Sequence, residues 1–431
     1  MGYLNDFVYY GSGTECPDIY LQWSGLSLLG AALGRKVWTM HGSYFRIHPK
    51  LYVCLVGDAG SGKSTAKNQA KSFLRAVDHD YLISSSFQSH QDIIDKMASD
   101  PQAIKTWKDK TTGKINEYRV FYGICNELAS LLSTDKKGMV EFLVDVFDDE
   151  DEFTTGYKGQ RLMQPERKQV VPFPYVSILA CAVPKWFMGS LKLDLFDGGL
   201  GRRLIVCYSN KTRLNENPCI PADGEAAKQR ALDHLRTCLS EGVQGELKKT
   251  HAADLWWKEW YHDPKRFNQT DPILGQFDQT KHIQSLKVAT LLSMSEQPFT
   301  YKIEDYHLQA AVAMLSNLEP SILRLTSGIG RNELAGVGVQ LLEFLERTGG
   351  MQTEINVKKF FYRYANMPEF QELENHYLTT GQLVITVAEA QGTGTMRRFY
   401  FTQEGYEKFK CMQADVKKGT STSTAATPAA A

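Results

Sequence analysis

The sequence predicts an α/β fold in three layers, with a parallel sheet covered by helices on both faces. Three observations predict it. Near-continuous apolar runs recur at "LYVCLVG" (51–57), "RVFYGIC" (119–125), "YVSILAC" (175–181) and "RLIVCY" (203–208), as expected of strands buried on both faces. Helical patterns lie between strands, and that alternation is the signature of a layered α/β sheet. A glycine-rich turn joins the first of these runs to a helix starting at Lys63.

Taken in order, the first fifty residues hold one helical pattern, roughly Ile19 to Leu33, and form an N-terminal helical segment (1–50). The layered core spans 51–210. Within it, a helix from Lys63 to about Val77 is followed by "YLISSS" (81–86) and by a helix capped by Ser89. The polar stretch 101–118 reads as an exposed insertion, and 141–172, acidic and then basic, as a hairpin or loop near the surface. Beyond Tyr208 the strand signal stops. "AAKQRALDHLRTCL", "TKHIQSLKVATLLSM" and "YHLQAAVAMLSNLEPSILRL" predict an all-helical lid within 211–325. Residues 326–333 read as a linker. Three helices and a hairpin, "LVITVAEA" to "MRRFYFT", then occupy 335–410, which is the element order of a winged helix. The Ser/Thr/Ala/Pro tail within 411–431 is expected to be disordered.

Composition excludes several classes. Lys+Arg and Asp+Glu both total 49, so a basic nucleic-acid surface would have to be local. The eight cysteines form no CxxC pair, which argues against a disulfide or zinc framework and for a reducing cytoplasm. No signal peptide is legible, and the longest apolar run, around Leu26 to Leu33, is too short to span a bilayer.

"GDAGSGKS" (57–64) fits G-x-x-x-x-G-K-[ST], the phosphate-binding P-loop. The chemistry explains each residue type. Gly57, Gly60 and Gly62 let the backbone curl so that its N–H groups face phosphate oxygens, and the helix N-terminus adds positive potential. Lys63 would reach the β- and γ-phosphates of ATP, and the Ser64 hydroxyl would ligate Mg2+. Asp58, Ala59, Ser61 and Thr65 complete the expected nucleotide-binding stretch. The alternative is a glycine-rich turn that holds no ligand.

Hydrolysis also needs a carboxylate at the end of a second buried strand. "FYGICNE" (121–127) supplies Glu127, which would polarise the attacking water and help hold the metal, or else merely favour a helix N-terminus. Asn126 stands where an Asp would usually help with the metal; its amide brings no charge. The acidic run 147–152 reads as solvated surface. Cys181, at the tip of the "LACAVP" strand, is its only weakly polar group and is read foremost as a buried structural thiol. "DGGLGRRLIVC" (197–207) places Arg202 and Arg203 before a buried strand. They read as an arginine finger for the neighbouring subunit's site, Arg202 foremost, or else as salt-bridged surface arginines. Lys281 would be a second cation approaching from the lid, or a solvated lysine.

Together, "WSGLSLLGAALGR", "LVGDAGSGKST", "CNELASLL", "VDVFDD", "SILACAVP" and "DGGLGRR" resemble a family of phage- and plasmid-borne P-loop proteins, often the helicase half of primase–helicases and similar to the AAA+ helicases. The resemblance covers roughly 18–320. It implies a homo-oligomeric ring, in all expectation a hexamer, with ATP sites at subunit boundaries. It also implies translocation on single-stranded or forked DNA, with a primase or initiator as a further partner. Asn126 and Cys181 depart from the family pattern. In the C-terminal segment, Lys358, Lys359 and Arg363 on a helix and Arg397 and Arg398 on the hairpin would grip a duplex backbone. Glu369, Glu372 and Glu374 argue against the next helix entering a groove, and protein contact is the alternative to DNA contact for this segment. Three functions therefore compete: a helicase or translocase, a nucleotide-dependent switch or loader, and an origin-binding initiator.

Overall fold

The computed structural model describes residues 2–81, 83–84, 89–108, 113–132, 136–148, 152–157, 167–184, 187, 199–209, 214–267, 272–326, 334–362, 364, 366–389 and 396–410. The chain divides into two compact units, Met1–Leu325 and Thr326–Ala431.

The larger unit opens with α1 (Tyr3–Gly11), α2 (Asp18–Leu33), β1 (Val37–His41), β2 (Phe45–Ile47), β3 (Tyr52–Val56) and α3 (Lys63–Val77). It continues with β4 (Ile83–Ser84), α4 (His90–Ser99), β5 (Ile104–Lys108), β6 (Ile115–Cys125), α5 (Leu128–Leu132) and α6 (Lys136–Asp145). The hairpin β7 (Glu152–Tyr157) and β8 (Arg167–Pro172) precedes β9 (Pro174–Ala182) and β10 (Leu204–Tyr208). Last come α7 (Gly224–Leu239), β11 (Gly245–Lys249), α8 (His251–His262), α9 (Pro272–Met294), β12 (Lys302–Ile303), α10 (Asp305–Ser316) and α11 (Glu319–Thr326).

The main sheet has the order β10-β3-β9-β6-β4, all parallel, with β5 added antiparallel on β6. Every residue of β3, β9 and β10 is buried, as strands covered on both faces require. The register pairs Val56 with Ala182 and with Tyr208, so these three strands end together on one edge. Ser89 caps α4 as its sequence suggests, its hydroxyl accepting from the Asp92 N–H at 3.2 Å. Residues 101–118 are not a plain insertion: β5 and the start of β6 pair there as a hairpin arm, with Trp107 opposite Asn116.

The first fifty residues are not a separate segment. Thirteen of the sixteen residues of α2 are buried, so this helix has no polar face to give to water and must be enclosed. It packs on α3, on the sheet strands β3 and β9, and on α7 and α9. Asp6 of α1 forms an ion pair with Arg230 of α7. The Lys36 ammonium donates to the carbonyls of Cys238, Leu239 and Ser240 at 2.7, 3.0 and 2.9 Å, where the α7 C-terminus attracts a cation.

The 211–325 region is likewise not all-helical. A second sheet, β12-β11-β1-β2, joins it to the N-terminal segment through parallel pairing of Val37 with Gly245. The expected division into 1–50, 51–210 and 211–325 therefore merges into one unit, because each segment buries its apolar face against the others.

The smaller unit holds α12 (Leu334–Arg347), β13 (Met351–Thr353), α13 (Glu354–Phe361), α14 (Met367–Thr379), β14 (Leu383–Glu389) and β15 (Met396–Thr402), with a further helical stretch over 403–410. Its antiparallel sheet runs β13-β15-β14. Asn366 caps α14 in a box with Glu369. Leu341, Leu345, Phe361, Phe370 and Tyr400 centre the core of this unit. The expected tail beyond 410 and the linker 327–333 lie outside the described residues. Among the described residues, no helix is long and apolar enough to cross a membrane, and the seven described cysteines are all free.

Candidate functional site

The strand β3 delivers residues 57–62 to the edge where β9 and β10 also end. Gly57 N–H donates to Ala182 O at 3.2 Å and Ser209 N–H to Val56 O at 3.1 Å, which anchors the turn at its base. Gly60 and Gly62 have φ of +82° and +84°, a region costly to any residue with a Cβ. A Cβ on Gly62 would also lie 2.8 Å from Cys16 Cα, and one on Gly57 would lie 2.4 Å from the Tyr20 hydroxyl. The turn is thus a glycine cradle by steric necessity. Lys63 and Ser64 begin α3, so their N–H groups have no preceding helical carbonyl to bond. Asp58, Ala59, Gly60, Ser64 and Thr65 are exposed, whereas Ser61 and Lys63 are buried.

The Lys63 ammonium reaches back over the turn, donating to Gly57 O at 2.6 Å, Asp58 O at 2.7 Å and Ser61 Oγ at 3.2 Å. Burial lowers its pKa below the ordinary lysine value, and nearby Asp58 and Glu127 act against that shift. One turn further along α3, Lys67 is also buried and donates to Asn126 Oδ1. The Asn126 amide oxygen is thus engaged by a cation of α3. Asn126 and Glu127 are both exposed, on the loop leaving β6. The strand β9 lies between β3 and β6, and its Cys181 faces this cluster. Burial pushes the Cys181 thiol up to about 11, although Lys67 and Lys63 pull it down. It is a protonated thiol at neutral pH, in keeping with a buried structural cysteine.

Two contributors escaped the sequence reading. Lys67 stands four residues after Lys63, hence on the same helix face, and that spacing was the available signal. The Tyr20 hydroxyl donates to Val56 O at 2.5 Å and accepts from Ser209 N–H at 3.2 Å, tying the ends of β3 and β10 beneath the turn. No local pattern marks Tyr20, because its partners lie far along the chain.

Arg202 and Arg203 lie in a short 3-10 turn, Gly201–Arg203, that feeds β10. Leu204 pairs with Tyr52 and Tyr208 with Val56, so the arginines sit at the opposite end of the sheet from the glycine turn. Five strand residues separate those ends by roughly 16 Å, so neither arginine serves the turn of its own chain. Arg203 is held internally: it pairs with Asp148 at 2.7 Å, donates to Gly199 O at 2.9 Å and lies over the Phe147 ring. Its side chain is only 7% exposed, so the finger reading does not suit Arg203. Arg202 is half-buried, and its Nε has no hydrogen-bond partner among the described residues. Thr280 Oγ1 and Gln284 Nε2 of α9 donate to the carbonyls of Arg202 and Arg203, which fixes the turn. Asp197 lies outside the described residues. Lys281 is not a lid cation: it is buried and paired with Glu319.

In the smaller unit, two of the four described cations expected to grip a duplex are ion-paired. Lys358 pairs with Glu354 at 2.6 Å, and Arg398 pairs with Glu374 at 2.8 Å and Glu354 at 3.7 Å. Lys359 and Arg397 remain, while Arg363 lies outside the described residues. Searched against protein-family models and against curated proteins, this chain finds no match in either.

Proposed function

We propose that this chain is a Mg2+-dependent ATPase of the P-loop class, working as a ring and driving a DNA helicase or translocase for a phage, plasmid or other mobile element. The observation that carries the ATPase reading is the glycine cradle at the end of β3, with Lys63 and Lys67 on α3 and Asn126–Glu127 at the end of β6, across the intervening β9. The turn suits a phosphate tail, because it is open at Gly60, where a Cβ would meet nothing within 4 Å, and the first N–H groups of α3 have no helical carbonyl to bond. ATP would lie against residues 57–65, with Lys63 on the β- and γ-phosphates. Mg2+ would be held by Ser64 and, through the loop after β6, by Glu127 and Asn126; it would neutralise charge on the transferring phosphoryl group. Glu127 would orient the attacking water. Arg202 would act on a neighbour's nucleotide, which accounts for its place at the far end of its own sheet. That geometry supports a ring; the motif resemblance supports DNA as the track.

Calorimetric titration with Mg-ATP tests the first step. The parent is expected to bind and turn over ATP, and Lys63→Ala to lose turnover; undiminished activity in that variant sinks the assignment. Strand displacement on a forked duplex tests the second. A switch or loader that moves on no track is the other reading, and the ion pairs that occupy Lys358 and Arg398 favour it. ATP turnover that no DNA stimulates would decide for it.

A further inference from the structure

At the sheet edge opposite the glycine turn, a cavity of ≈ 200 Å³ opens between the second sheet and the starts of β6 and β9. Its walls combine rings and guanidiniums: Trp107, Tyr118 and Phe173 with Arg35 and Arg46. Arg35 is buried, with its guanidinium 5.4 Å from the Phe173 ring centroid. Arg46 is exposed, lies 4.5 Å over the Trp38 ring, and has no carboxylate partner among the described residues. Glu117, the acid lining the cavity, is paired with Arg119, so positive charge prevails there.

Phe173 adds an independent sign. It has φ of +48°, 37% exposure and a proline on each side. A residue before proline prefers extended backbone, and a non-glycine residue at positive φ costs further energy. Such strain persists where the surroundings hold it, and it clusters at ligand clamps. Here it presents an aromatic ring at the mouth of a cationic cavity. An apolar ligand would have no use for two guanidiniums, and a simple anion none for the rings.

We propose that this cavity is a second binding site that takes one unpaired nucleotide. The flat base would stack on Trp107 and Phe173, and the phosphate would meet Arg46 and Arg35. Aromatic platforms beside arginines are the chemistry of single-strand recognition. The nucleotide would be either free or one residue of a strand. The inference does not rest on nucleotide binding at Lys63.

The test titrates the full chain, without ATP, into a fluorescein-labelled oligothymidylate, with anisotropy as readout and dTMP as competitor. Saturable binding is expected. Arg46→Ala and Trp107→Ala should each raise Kd about tenfold or more with unchanged thermal melting by circular dichroism. Should Trp107→Ala melt early, Trp107→Leu keeps apolar bulk without the stacking face and replaces it. Competition or direct binding by dTMP identifies a free nucleotide as sufficient; strand binding that dTMP does not displace identifies a nucleotide within a strand. Parental affinity in either folded variant, or a folded parent that binds neither probe, overturns the proposal.

Discussion

Replacing Gly62 with alanine puts a methyl group where the fold leaves no room. Two costs follow from the structure. At φ of +84°, alanine is strained by about 1–2 kcal/mol. The new Cβ also lies 2.8 Å from Cys16 Cα and 3.3 Å from Pro17 Cδ, which are backbone and ring atoms that cannot swing aside. Such overpacking costs about 1–3 kcal/mol, for a total of about 2–5 kcal/mol. Gly60 is the matched control: its φ is +82°, but a Cβ there meets nothing within 4 Å. Gly60→Ala should therefore cost about 1–2 kcal/mol. All seven tryptophans lie within residues 1–325, so tryptophan fluorescence in urea reports the larger unit alone. The midpoint should fall further in Gly62→Ala than in Gly60→Ala at equal slope. Equal midpoints would refute the idea that the Cys16–Pro17 segment braces the turn.

Arg202→Ala should leave stability within about 0.5 kcal/mol and retain ATP binding, yet lose hydrolysis; mixing with Lys63→Ala chains should restore part of it, as turnover measurements would show. Arg203→Ala should instead lower stability by about 1–3 kcal/mol, toward the smaller figure because Asp148 is 62% exposed and regains water; urea midpoints separate the two arginines. Burial first, then His41 and Arg266, push His282 down to about 4. Between that pH and the ordinary histidine value near 6.5, the unfolded chain binds more protons than the folded one, so stability should fall as pH drops through this window. His282→Gln should shrink the difference between midpoints at pH 7 and pH 5, and an unchanged difference would count against it.

Much of the candidate site is legible along the chain because its residues are contiguous. A buried strand, a turn that needs positive φ at Gly60 and Gly62, and a helix beginning at Lys63 impose their geometry locally. The Asn126–Glu127 pair is legible for the same reason, at the end of an apolar run. Tyr20 is not, since its hydroxyl closes a junction between residues 56 and 209. Nor is the difference between Arg202 and Arg203, which depends on Asp148 arriving from another loop.

By itself, then, the sequence determined the α/β alternation, the glycine turn and the three helices and terminal hairpin of the smaller unit, though not β13 or the helical stretch over 403–410, because apolar period and backbone φ are properties of neighbouring residues. Only the tertiary structure decided that β9 separates β3 from β6, and that β1 pairs with β11 some two hundred residues away. It alone showed that Arg398 is neutralised by Glu374 and Glu354. The physical reason is common to all three. Strand order, sheet partners and ion pairs between distant segments are chosen by which apolar faces bury one another and which charges are thereby brought together, and no local pattern encodes that choice.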